Sequence, residues 1–67
     1  MRFKVKFKGK EDWIESESKV KIKDVIKRFE VTPDICVVCK NGEVVTEDEN
    51  VNEGDFIEII VAISGGI

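Results

Sequence analysis

The 67-residue sequence predicts an α+β fold, a mixed sheet of four to five strands with one main helix on one face. Three stretches carry that expectation. RFKVKFK alternates apolar and basic residues with period two, as a half-buried strand does. KIKDVIKRFE changes to the helical period, with Ile22, Val25, Ile26 and Phe29 at i, i+3, i+4 and i+7. FIEIIVAI holds a single charge, which fits a central strand covered on nearly both faces.

In the first strand Phe3, Val5 and Phe7 share one face, and Arg2, Lys4, Lys6 and Lys8 share the other. GKED reads as a turn and WIESES as the second strand of a hairpin. Alternation leaves open whether Trp13 or Ile14 faces the core. The helix is expected near residues 22–30. Asp24 suits its positive end, and Lys27 and Arg28 suit its negative end. Lys21 at the N-cap position is a poor cap, and Pro33 stops any continuation. DICVVCKNGEVV reads as strand, turn, strand, because both central residues of a type I′ turn need positive φ and Asn41-Gly42 supplies them. TEDENVNEGD is an acidic loop closed by Gly54-Asp55, and the last strand follows. The expected core is Phe3, Val5, Ile22, Val25, Ile26, Phe29, Ile57 and Ile59.

Hairpin, crossover helix and further strands give the β-grasp (ubiquitin-like) arrangement, with the first and last strands side by side in the middle of the sheet. Residues 1–62 would form the β-grasp domain, and 63–67 a flexible C-terminal Gly-Gly tail with one extra residue.

A chain this short buries roughly 60% of its unfolded surface, so an enclosed catalytic pocket is hard to build. There is no His and no Tyr, which removes the commonest acid/base side chain and one alternative. Net charge is −3, split between +5 over residues 1–28 and −8 over residues 29–67. The acidic half argues against nucleic acid and suits a partner with a basic surface. No run approaches the ~20 apolar residues of a membrane span. MRFKVKFK lacks the apolar stretch of a secretion signal, so a cytoplasmic location is expected.

Cys36 and Cys39 have CxxC spacing, but residues three apart on a strand point to opposite faces. Two thiols without a histidine also fall short of the four ligands of a structural zinc site. Neither an intramolecular disulfide nor a bound metal is expected. Asp48, Asn50 and Asn52 start like a calcium loop, but Glu53 stands where that loop needs glycine and Ile59 where it needs glutamate. Phe56 and Ile60 fall on the sheet face that lacks a helix, together with one of the two alternating sets of ICVVC. An apolar strip there marks a docking surface.

Past the last strand, SGGI extends by only about 3.3–3.6 Å per residue, and Gly65 and Gly66 have no Cβ. A narrow end of this kind suits delivery of a carboxylate into another protein's active site. CKNGEVV followed by EGDFIEIIVAISGG resembles the C-terminal half of the small sulfur-carrier proteins. These are the ThiS type of the thiamine pathway and, less closely, the MoaD type of molybdopterin synthase. Asn41-Gly42, Gly54-Asp55 and Gly65-Gly66 are spaced as in that family, and VKIKDVIKRF fits its amphipathic helix. The absence of a Pro-Pro pair before the tail places the chain nearer ThiS.

The resemblance implies a protein cosubstrate rather than an enzyme, with no catalytic side chains and no cofactor beyond the ATP used by its partner. An adenylating enzyme related to ubiquitin-activating enzymes would activate the carboxylate of Gly66, with Gly65 keeping the tail slim. Sulfur would displace AMP to give a thiocarboxylate for a sulfur-acceptor synthase that builds thiazole or a dithiolene. The strip around Phe56 and Ile60 would dock on the activating enzyme, and the carrier alone would be a monomer. Active carriers end at Gly-Gly, so Ile67 is either removed or a mark that the chain does not carry sulfur. The alternatives are a ubiquitin-like protein modifier and a plain β-grasp interaction domain with an unused tail.

Overall fold

The computed structural model describes residues 1–62, so the expected tail, 63–67, lies outside the described residues. Strands β1 (Arg2–Phe7) and β2 (Lys10–Glu15) form an antiparallel hairpin. The turn is Lys8-Gly9, with φ of +52° and +79°, and Phe7 pairs directly with Lys10. The second strand therefore begins three residues earlier than WIESES, inside the stretch expected to turn. The shift follows from the lysine, which adopts the left-handed conformation usually left to Gly or Asn. In this register Ile14 lies opposite Phe3 on the core face and Trp13 lies opposite Lys4 on the other.

A short strand β3 (Val20–Lys21) runs into helix α1 (Ile22–Arg28). An ammonium cannot accept a hydrogen bond, so Lys21 cannot cap with its side chain. Asp24 does part of that work from inside the helix: its Oδ2 accepts the Lys21 backbone N–H at 2.9 Å. The helix stops at Arg28, short of the expected residue 30. Glu30 turns left-handed at φ +61°. Its N–H donates to the Lys27 carbonyl at 3.0 Å, and the Val31 N–H donates to the Ile26 carbonyl at 3.0 Å. These are the two bonds of a Schellman stop, formed here without glycine. Phe29 consequently sits past the helix end and is half-buried rather than core, its ring 5.0 Å from that of Phe7.

A 3-10 turn (Pro33–Ile35) leads to β4 (Cys36–Lys40), which pairs with β5 (Glu43–Val45). Asn41 and Gly42 between them have φ of +52° and +89°, as a type I′ turn requires. The acidic loop then holds a strand that its sequence did not announce, β6 (Asn50–Val51), paired with β3 and burying Val51. Strand β7 (Phe56–Val61) ends the described chain. It runs parallel to β1 and antiparallel to β4.

The main sheet has the order β2-β1-β7-β4-β5, with β3-β6 as a separate ribbon. This is the β-grasp topology, with first and last strands paired at the centre. Helix α1 covers one face through Ile22, Val25 and Ile26, which pack with Phe3, Val5, Ile57 and Ile59. Ile14, Val31, Val38 and Val51 complete the buried core. Each such side chain contributes about 1.5–3 kcal/mol. Among the described residues no helix is long and apolar enough to cross a membrane.

Candidate functional site

The sheet face opposite α1 carries the only part of the expected site that the described residues include. Parity along β7 sends Ile57 and Ile59 into the core and Phe56, Glu58 and Ile60 to the open side. Pairing with β4 settles which set of its residues joins them. Val37 lies opposite Ile60 and Cys39 opposite Glu58, so Val37 and Cys39 are on the open face. Val44 of β5 lies opposite Cys39. Val37, Val44 and Ile60 are exposed by 44%, 73% and 47%, an apolar patch that no helix among the described residues covers.

Phe56 shares this face but not this neighbourhood. Four residues of strand separate it from Ile60, or about 13 Å. It is half-buried and pairs with Lys4 of β1, whose ammonium lies 5.9 Å from its ring centre. Trp13 stands on the far side of Lys4, 51% exposed, with the Arg2 guanidinium 4.4 Å above its ring. The open face thus has an aromatic and cationic end and an apolar end. Lys4 is also paired with Glu11 at 3.0 Å.

The apolar end is where the chain leaves the sheet. Val61 lies opposite Cys36, and the Ala62 N–H donates to the Ile35 carbonyl at 2.7 Å. Gly65, Gly66 and Ile67, the expected activation site and the residue after it, lie outside the described residues. The roles of Val37, Val44 and Cys39 were not legible earlier, because parity on two adjacent strands leaves two equivalent choices until the pairing is known. The Asn41-Gly42 turn, with its two-residue loop, was the available signal for placing Val44 on the face of Cys39.

The thiols fall on opposite faces, as the spacing predicts, and both are free. Cys36 packs against the core on the helix side, and its S–H donates to the Thr32 carbonyl at 3.3 Å. Burial, and then the Asp34 carboxylate, push its thiol above the ordinary range. Among the described residues no group of three or more His, Cys, Asp or Glu side chains is arranged to hold a metal. What the described surface offers is an apolar contact area beside the exit of the C-terminal segment.

A sequence model of the ThiS family matches residues 4–66, a span that takes in the domain and both tail glycines. Among solved structures, thiamine biosynthesis protein ThiS from Geobacter metallireducens is similar, with a TM-score of 0.69 at 22% identity. The likeness covers 98% of this chain and 100% of that one, and at this identity it speaks for the fold.

Proposed function

The chain belongs to the ThiS family, and on that premise we propose that it is a sulfur carrier whose C-terminal thiocarboxylate forms on Gly66. The observation that carries this reading is the family match, which runs through Gly65 and ends on Gly66. The Gly66 carboxylate attacks the α-phosphate of ATP on an adenylating enzyme related to ubiquitin-activating enzymes, and pyrophosphate leaves. A sulfide-level sulfur nucleophile then attacks the acyl adenylate, and the C–S bond forms as AMP leaves. The thiocarboxylate passes its sulfur to a thiazole-forming synthase of thiamine biosynthesis. Val37, Val44 and Ile60 are the contact for the activating enzyme. Ile60 and Val37 pair one position before the strand end at Val61, and Val44 extends the contact along the same face, so an enzyme seated there lies beside the exit of the tail.

Ile67 is removed before activation. Its residue displaces the terminal carboxylate by up to about 3.5 Å and adds a stiff, β-branched side chain. A misplacement of ~1 Å already costs on the order of a hundredfold in rate. The test is ATP–pyrophosphate exchange with the adenylating enzyme of the same cell. It compares the chain ending at Ile67, the chain ending at Gly66, and the latter carrying Gly66→Ala. Exchange is expected with the second alone. Equal exchange by the first would show that Ile67 is no block, and no exchange by any would remove the carrier reading. Intact mass of protein isolated from its cell supplies a second readout. Loss of isoleucine together with replacement of one oxygen by sulfur is the expected result.

A further inference from the structure

The outer edge of β2 is open. Met1 and Ser16 exchange both backbone hydrogen bonds, at 2.6 and 2.9 Å. The alternation of an antiparallel ladder then makes Phe3–Ile14, Val5–Asp12 and Phe7–Lys10 the bonded pairs. Lys4 obeys the same alternation from β1, its N–H donating away from β2 to the Asp55 carbonyl at 3.0 Å. Glu11, Trp13 and Glu15 therefore turn their N–H and C=O groups outward, where no further strand lies among the described residues. The opposite edge, β5, has three residues and turns only Val44 outward.

A groove of about 370 Å³ runs beside the β2 edge on the helix side. Buried Phe3, Ile14 and Val25 and half-buried Val20 lie beneath it, and Glu15, Ser16, Ser18, Lys19 and Arg28 surround it. Neither cation has a salt bridge among the described residues. Asp24, beside the same groove, is already engaged by the Lys21 N–H. On the open face the exposed carboxylates of Glu11 and Glu15 border the edge. A strand laid there meets Glu15 and the Lys4-paired Glu11 on one side, and on the other a groove of mixed charge, where Lys19 and Arg28 stand with Asp24 and the edge residue Asp12.

We propose that this edge accepts an extended segment of a partner protein as an added strand. Its basic side chains face Glu11 and Glu15, and its apolar side chains and one carboxylate face the groove, Lys19 and Arg28. Backbone bonds to Glu11, Trp13 and Glu15 supply the attachment, and the alternating side chains supply the selection. A second copy of this chain fits poorly in the two registers that overlap β2 most fully. With the two-fold axis at Asp12 that residue meets itself, and with the axis at Trp13 Glu11 meets Glu15, so carboxylates oppose each other in mid-strand. The inference does not depend on the chemistry of the tail.

The probe is a capped peptide of alternating lysine and valine with one terminal aspartate, added to the full chain. The reference peptide carries glutamate in place of lysine. Trp13 is the sole tryptophan and there is no tyrosine, so its fluorescence reports the edge directly. The lysine peptide is expected to slow amide exchange at Glu11, Trp13 and Glu15 and to shift Trp13 emission. The glutamate peptide is expected to bind about tenfold more weakly, the factor that a charge pair at each of two positions adds up to. Glu15→Pro deletes an outward N–H but no bond of the β1–β2 ladder, so it is expected to lose binding and keep the fold. Glu15→Lys is expected to move the preference toward the glutamate peptide, and it decides the question alone if the proline variant fails to fold. Unchanged exchange at those three amides at the highest soluble peptide concentration overturns the proposal. So does full binding by a folded Glu15→Pro variant. Protection that grows with protein concentration in the absence of peptide also overturns it, by assigning the edge to a second copy.

Discussion

The side-chain N–H of Asn41 donates to Oδ1 of Asp55 at 2.9 Å, tying the β4–β5 turn to the start of the central strand. The same side chain accepts the Phe56 N–H at 2.9 Å, and the Asn41 backbone N–H donates to the Phe56 carbonyl at 2.8 Å. Asp55 is the one buried charged residue described, and its second oxygen accepts the Asn52 N–H at 2.7 Å. One asparagine therefore supplies both the positive φ of the turn and a clamp on β7.

Two substitutions separate those roles. Asn41→Gly keeps the turn but leaves Asp55 and the Phe56 N–H short of a partner, and is expected to cost about 1–3 kcal/mol. Asn41→Ala also forces a Cβ-bearing residue without a polar side chain into the left-handed region, adding about 1–2 kcal/mol. Urea denaturation of both variants, with unchanged slope, is the check.

Glu30 terminates α1 at φ +61° in a position that favours glycine. Its exposed side chain makes no described hydrogen bond. Glu30→Gly is expected to stabilise the protein by about 1 kcal/mol, raising Tm by roughly 4–8 °C. A fall in Tm would mean that the added freedom of the unfolded chain outweighs the strain relieved.

Ile59 and Ile60 are adjacent, yet one is 3% exposed and the other 47%. Ile60→Asp and Val37→Asp are expected to leave the melting profile near that of the parent. Each should weaken association with the activating enzyme by about tenfold or more, because a charge is placed in a contact that must lose water. Ile59→Asp is expected to unfold the domain. Calorimetric titration beside circular dichroism distinguishes the cases, and unchanged binding by both surface variants removes the patch from the docking step.

The thiolate is the reactive form of cysteine, and burial together with Asp34 disfavours it at Cys36. In a Cys39→Ala background, Cys36 is expected to alkylate more slowly than a free thiol at neutral pH. Its rate should keep climbing with pH above the ordinary thiol midpoint. Asp34→Asn should recover part of the difference, as burial is the larger cause. Mass spectrometry of iodoacetamide-quenched samples gives the rates.

The sequence by itself determined the elements whose pattern is local. The period-two run of β1, the helical stripe Ile22, Val25, Ile26 and the Asn41-Gly42 turn each state their conformation within a few residues. Their order was enough for the topology, since one hairpin and one crossover helix leave few ways to cover a single apolar face. The thiols' opposite faces followed from parity alone. Tertiary structure decided what parity leaves degenerate. Trp13 or Ile14, and Val37 or Val38, are equivalent until a partner strand sets the register. In the β1–β2 hairpin that register came from Lys8, a lysine in a left-handed turn with no sequence signal for it. The left-handed stop at Glu30 was equally silent, and it moved Phe29 from the core to its margin. Val51 became buried only because β3 lay beside it, for two-residue strands carry too little periodicity to be seen before they pair.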